Sequence, residues 1–138
     1  MTSVVRLIRS DSLADAPYAY AATAPADSRL IFLAGSCPLD DDDGETTARG
    51  DYAGQAARCI ETLEAALTAS GATLTDVIST RVLVASTRQS DLVTAWNVVE
   101  AAFGSHDVPS TLLGVTVLGY DDQLVEIEAV AAVRSDER

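Results

Sequence analysis

Short apolar runs, several of them with polar residues in alternation, recur along the chain and predict β-strands. Six runs of this kind are present, at residues 3–9, 18–23, 29–35, 77–85, 112–118 and 123–133. In the last run Glu126 and Glu128 alternate with Val125 and Ile127. Successive side chains of a strand point to opposite faces, so this run predicts a strand with both glutamates on one face.

Two longer segments carry apolar residues at spacings of three and four, which predicts amphipathic helices. The first covers residues 51–70 and the second covers residues 90–103. Gly71 and Gly104 follow them and are expected to end them, because glycine adopts the left-handed conformation at helix C-termini. Ser90 is expected to cap the start of the second helix.

The resulting order, β-β-β-α-β-α-β-β, predicts one α+β domain over residues 1–138, with both helices on one face of a mixed sheet. The last two strands are expected to form a hairpin around the polar turn at residues 120–122. Strand residues such as Phe32 and Leu83 lie in runs that are apolar on both faces. An uncovered apolar sheet face of this kind typically marks an interface between copies of a chain.

Composition narrows the classes of function. The formal net charge is −12, and all nine basic residues are arginine. A chain of this charge repels phosphate backbones, so we do not expect a nucleic acid as a partner. No apolar run approaches the roughly 20 residues that span a bilayer, and residues 1–10 lack a signal-peptide pattern. We therefore expect a cytoplasmic protein without a membrane partner.

Candidate ligands for a metal are scarce. Cys37 and Cys59 are the two cysteines, and His106 is the one histidine. The cysteines lack metal-binding spacing and are expected to be reduced thiols, so no metal site is predicted. A catalytic triad of Ser110, His106 and Asp107 is suggested by proximity in sequence alone, and chance explains it better because a triad is defined by geometry.

Several short motifs, in order along most of the chain, resemble those of the Rid (YjgF/YER057c) family. None of them is specific alone, but together they identify the chain as similar to this family. They are Pro17-Tyr18, residues 33–40 (LAGSCPLD), Gln55 with residues 60–63 (IETL), residues 71–78 (GATLTDVI), residues 96–103 (WNVVEAAF) and residues 125–129 (VEIEA).

This resemblance implies a chorismate-mutase-like fold and a homotrimer whose sheets form a central barrel. Clefts between the subunits of such proteins hold small metabolites that bear a carboxylate. The deaminases of the family hydrolyse reactive enamines and imines to ammonia and 2-oxo acids, and they use neither a metal nor an organic cofactor. The partners implied for this chain are further copies of itself and a small-molecule metabolite.

The resemblance also implies site residues. Glu126 matches the glutamate that orients a water molecule in the deaminases, which makes it the candidate catalytic residue. The candidate substrate-binding residues are Tyr18, Gly35, Cys37, Asn97, Ser110 and Thr111. The arginine that clamps the substrate carboxylate has no counterpart. Counting back from Glu126, with one extra residue in the turn, places Ser110 at its position.

The missing arginine changes the expected chemistry. A guanidinium binds a carboxylate through two charge-assisted hydrogen bonds, which a serine hydroxyl cannot reproduce. We therefore expect weak deaminase activity or a different, less anionic substrate. Arg81 shares a strand face with Ser79 and Leu83 and is a candidate substitute. A structural ion pair with Glu126 or Glu128, or an ordinary surface arginine, is the interpretation that the sequence favours.

Three functions remain open at this point. The first is a Rid-type enzyme with altered substrate choice, in which Glu126 handles water. The second is a non-catalytic protein that binds a small metabolite, and the third is a protein-interaction or holdase role.

Two of the candidate residues also have a purely structural interpretation. Glu126 would then be a solvated strand residue or an ion-pair partner. Trp96 lies on the apolar stripe of its helix and is expected to be a core residue rather than a stacking surface.

Overall fold

The computed structural model describes residues 2–135, so Met1 and residues 136–138 of the predicted domain lie outside the described residues. The predicted order of elements is confirmed, with one short 3₁₀ turn added at Leu74–Asp76. The elements are β1 (Arg6–Ile8), β2 (Ala21–Thr23), β3 (Arg29–Phe32), α1 (Tyr52–Ala69), β4 (Val77–Ala85), α2 (Gln89–Phe103), β5 (Ser110–Val115) and β6 (Val125–Val133). Neither helix of this described part is long and apolar enough to cross a membrane.

The strands form two sheets. β1 and β2 pair as a separate antiparallel ribbon, and the other four form a mixed sheet in the order β3-β6-β4-β5. The prediction that the last two strands form a hairpin is wrong, because β4 lies between β5 and β6. The helix α2 carries the chain back over the sheet, so β5 pairs with β4 in parallel, and β6 then pairs antiparallel on the other side of β4.

One face of the four-stranded sheet packs against both helices. Val82 and Val84 from β4 meet Val125 and Ile127 from β6 there, and all four are fully buried. Helix α1 contributes Leu63 and Leu67 to the same cluster, and α2 contributes Val99. Burial alternates along most of β6, and Glu126 and Glu128 lie on the opposite face from its buried residues, so the predicted alternation is confirmed.

The opposite face of the sheet is covered by neither helix of the described residues, and we call it the open face. Leu30 and Phe32 from β3 lie on it with 52% and 74% of their surface exposed, and Leu113 from β5 is also exposed. Large apolar side chains left exposed side by side on a sheet are typical of an interface with another molecule.

The ends of α1 are fixed by local hydrogen bonds. Asp51 is the N-cap, and its Oδ1 accepts a hydrogen bond of 2.9 Å from the backbone N–H of Gly54. Gly71 has a φ of +83° and follows the last turn, as predicted. The N–H of Ala72 donates to the carbonyl of Leu67, which closes a Schellman motif.

The start of α2 differs from the prediction, because Ser90 is not its cap. The helix begins at Gln89, and Arg88 occupies the cap position without a capping hydrogen bond from its side chain. Ser86 takes over part of the capping role: its Oγ accepts from the N–H of Arg88 at 2.9 Å and donates to Asp91 Oδ2 at 2.7 Å. These bonds start the helix one residue earlier than the periodicity indicated.

Candidate functional site

Polar side chains on the open face are aligned by strand register. Partner residues of neighbouring strands share a face, so two rows of side chains cross the sheet from β5 through β4 to β6. The rows are Leu113, Leu83, Glu126 and Thr111, Arg81, Glu128. Glu126 therefore shares its row with two leucines. The charged pair of Arg81 and Glu128 lies in the next row, about 7 Å away along the strands.

Glu126 is held by neutral groups. Gln123 Nε2 donates a hydrogen bond of 3.1 Å to Glu126 Oε1, and the thiol of Cys37 contacts the same oxygen at 3.4 Å. The ion pairs formed within residues 2–135 do not include Glu126. A carboxylate held in this way keeps its charge available to a bound molecule or to water.

The segment 35–37 reaches Glu126 because it is hydrogen-bonded to β6. Ser36 and Ile127 exchange two backbone bonds, of 2.7 Å from the Ser36 N–H and 3.0 Å from the Ile127 N–H. This bridge brings the Cα of Gly35 against the Glu126 carboxylate, and a Cβ on that residue would overlap the carboxylate oxygen. A glycine is therefore required at position 35 for the observed position of Glu126.

The thiol of Cys37 is a hydrogen-bond donor rather than a nucleophile. Burial and then the negative charge of Glu126 raise the pKa of Cys37 to about 11, so the thiol is neutral at physiological pH. Burial also raises the pKa of Cys59, whose thiol donates to the carbonyl of Val125. Both cysteines are free, as the sequence predicted.

A second group of predicted residues lines a groove at the edge of β5. One cavity of about 440 Å³ and a second of about 360 Å³ share Tyr18, Ser110 and Thr111, so they lie next to each other, and we call the two together the groove. The first cavity is also lined by Pro17, Trp96 and Leu112. The second is also lined by Ala19, Tyr20, Ser79, Thr80, Arg81 and Pro109.

Trp96 lines the groove, whereas its sequence pattern predicted only a core residue. Its ring packs edge to face with Tyr18, with centroids 6.5 Å apart, and it lines the larger cavity while still contacting the core. Helical periodicity placed it on the apolar stripe but gave no sign that the stripe ends at an open groove. Asn97 is exposed on the next position of α2 and lines neither cavity.

Ser110 and Thr111 point to opposite faces of β5. Ser110 pairs with Thr80 on the helix side, where its Oγ donates to the carbonyl of Val108 and lies 2.9 Å from Thr80 Oγ1. Thr111 shares the open face with Glu126. Of the two predicted residues, Thr111 is therefore the one on the same sheet face as Glu126, although Ser110 still lines the groove.

Two further hypotheses are settled by contacts. Arg81 Nε donates to Glu128 Oε1 at 2.7 Å, so Glu128 and not Glu126 is the partner of this arginine. His106 Nε2 is hydrogen-bonded to the carbonyl of Val77, and Asp107 pairs with Arg9. The side chain of Ser110 is hydrogen-bonded to Thr80 and Val108 instead of His106, so the three do not form a triad.

The chain is similar to known proteins over most of its length. A family model described as Endoribonuclease L-PSP matches residues 10–133 of the chain. The chain belongs to the Rid family. A RutC family protein of Pyrococcus abyssi is 33% identical over 102 residues, which are 74% of this chain and 77% of the relative.

Solved structures agree with this assignment. A Rid family protein of unknown function from Yersinia pestis, YyfB, superposes with a TM-score of 0.87 at 24% identity, covering 94% of this chain and 99% of that chain. TdcF of E. coli, solved with bound serine, superposes with a TM-score of 0.65 at 28% identity, with coverage of 94% and 99%. The predicted α+β, chorismate-mutase-like fold is therefore confirmed.

Proposed function

We propose that this Rid protein hydrolyses a small enamine or imine, with a substrate choice that differs from that of relatives carrying the clamping arginine. The observation that supports this most strongly is the environment of Glu126. Its carboxylate lies on the open face, between Leu83 and the thiol of Cys37, and its ion-pairing capacity is not used by a basic residue of the described chain. Such a carboxylate is suited to accept a proton from water.

The chemistry requires only water and a proton carrier. An enamine first tautomerises to its imine, whose nitrogen takes a proton from solvent. Water then adds to the carbon of this iminium ion, and Glu126 takes the proton that the water oxygen loses, which gives a neutral carbinolamine. Glu126 passes this proton to the carbinolamine nitrogen, and the C–N bond breaks to give ammonia while the hydroxyl group loses its proton to solvent and becomes the carbonyl of the product. The glutamate is regenerated at the end of each cycle.

The anchoring of the substrate is where this chain departs from the family. Ser110 supplies a hydroxyl group at the position where the deaminases have a guanidinium. Hydrogen bonds to charged groups contribute roughly 1.5–3 kcal/mol each, so losing them weakens the binding of a small carboxylate by about tenfold or more per bond. We therefore propose weak activity on the small 2-imino acids.

The working unit of this proposal is a cytoplasmic homotrimer with one cleft at each interface. The exposed Leu30 and Phe32 support it, because association would bury them. The bound serine of TdcF supports a small molecule as the ligand. The net charge of −12 disfavours RNA as a substrate, despite the description of the family model.

The test is ammonia release from an enamine generated in situ, with wild type and Glu126→Gln compared. We expect measurable release by wild type and a fall of at least about 100-fold in the variant, since general acid–base catalysis contributes this much. Glu64→Gln, at an exposed glutamate of α1, is the matched control and should retain full activity. Ligand-dependent thermal stabilisation without any ammonia would instead show the non-catalytic binding function.

A further inference from the structure

The groove at the edge of β5 has two chemically different ends. At one end lie the rings of Tyr18 and Trp96 with Pro17 and Leu112, which form an apolar, aromatic wall. At the other end lies Arg81, on the open face beside Thr111. The two ends belong to cavities with shared walls, so one extended molecule can contact both.

We propose that this groove selects metabolites that carry an anionic group at one end and a bulky apolar or aromatic group at the other. Arg81 would receive the anion, and Trp96 with Tyr18 would receive the apolar group. This inference rests on the proposed function, because it names the class of molecule that the cleft takes. It also gives the chain a cation in place of the clamping arginine, carried by β4 instead of β5.

Arg81 is placed and oriented for this role. Its Nε is bonded to Glu128, which leaves the two terminal nitrogens as donors, and its side chain is 58% exposed. An exposed ion pair of this kind adds little to stability, but the bond to Glu128 fixes the orientation of the guanidinium plane. A planar fork with two free N–H groups matches a carboxylate.

The orientation of the ligand follows from charge. Glu100 and Asp107 line a small crevice that continues from Trp96, and the charge of Asp107 is balanced by its ion pair with Arg9. The remaining negative charge of Glu100 repels an anion from this end, whereas Arg81 at the other end has two terminal nitrogens left as donors. The Cα atoms of Arg81 and Glu126 are two residues out of register on adjacent strands, about 8 Å apart. A carboxylate held by Arg81 therefore lies on the same sheet face as the proposed catalytic group.

The single tryptophan of the chain is Trp96, so its fluorescence reports directly on this groove. The probes are 3-phenylpropanoate, its uncharged isostere 3-phenylpropanamide, and propanoate, which lacks the ring. We expect 3-phenylpropanoate to change the fluorescence saturably and to bind at least about tenfold more tightly than either of the others. Because this comparison uses wild-type protein, it does not depend on the folding of a variant.

Variants then test which residue binds each end of the ligand. Arg81→Gln should remove the preference for the acid over the amide, whereas Arg88→Gln, at another exposed arginine with an ion pair, should keep it. Trp96→Leu, followed by calorimetry, should remove the preference for 3-phenylpropanoate over propanoate. Equal binding of acid and amide, equal binding of the two acids, or no saturable binding at millimolar concentration overturns the inference.

The outcome is separable from that of the proposed function. If these probes bind as expected but wild type releases no ammonia from any enamine, the hydrolytic function fails and the ligand class stands. If ammonia is released in a Glu126-dependent manner but the probes do not bind, the ligand class alone is wrong.

Discussion

The position of Glu126 depends on a residue without a side chain. The bridge between Ser36 and Ile127 presses the Cα of Gly35 against the carboxylate, and Gln123 and Cys37 hold one of its oxygens. Of these residues, Gly35, Cys37 and Glu126 were identified as site residues only through the family motifs. Nothing in their spacing along the chain shows that they meet, because about 90 residues separate Gly35 from Glu126.

Gly35→Ala tests this arrangement. The new methyl group would overlap the Glu126 carboxylate, which is the end of a flexible side chain, so the carboxylate moves at little cost in stability. We expect ammonia release to fall at least about tenfold, because misplacement of a reacting group by about 1 Å has effects of this size or larger. Gly119→Ala is the control, since a Cβ there meets no atom within 4 Å. Full activity of Gly35→Ala would contradict the account.

The reactivity of Cys37 tests the electrostatics around Glu126. With its pKa raised to about 11, the thiolate fraction of Cys37 at neutral pH is very small. The rate of alkylation should therefore increase about tenfold per pH unit between pH 7 and 10, whereas an ordinary thiol levels off above its pKa of about 8.5. Glu126→Gln removes a negative charge that raises this pKa, so alkylation at a fixed pH should become faster. A plateau near pH 9 in wild type would rule out the raised pKa.

At the scale of elements, periodicity predicted the faces of strands and helices but not their neighbours. Alternation in β6 correctly separated Glu126 from Ile127. The same pattern could not show that β4 lies between β5 and β6, because pairing is decided by the crossover through α2. It also could not show that Ser86, outside the helix, would start α2.

The caps of α1 make a quantitative test at this scale. Asp51→Ala removes the hydrogen bond to the Gly54 N–H, and Gly71→Ala puts a Cβ at a φ of +83°. Each should lower the free energy of unfolding by about 1 kcal/mol. The 18-residue helix separates the two sites by about 27 Å, so the double variant should lose about 2 kcal/mol.

Urea denaturation at one fixed protein concentration measures these changes. Asp27→Ala, at an exposed loop carboxylate, is the control and should leave the midpoint unchanged. A loss below about 0.3 kcal/mol for both single variants would show that the caps do not limit the stability of α1.

At the scale of the whole molecule, the sequence was sufficient for the fold class and for an uncovered apolar face. It was insufficient for the groove, because Tyr18, Trp96 and Thr111 come from three separate parts of the chain. The proposed site and the proposed interface between copies lie on the same open face. It carries Glu126 and Arg81 together with the exposed apolar residues whose burial would bring copies together.

The central claim is that further copies of the chain cover the open face and thereby complete the clefts. Sedimentation velocity of the wild type tests it most directly. We predict a mass of three 14.4 kDa chains at low micromolar concentration, and dissociation on Phe32→Asp, because a buried unpaired charge opposes association. Val93→Asp, at an exposed apolar residue of α2, should leave the assembly intact. A folded wild-type monomer at that concentration would contradict the claim.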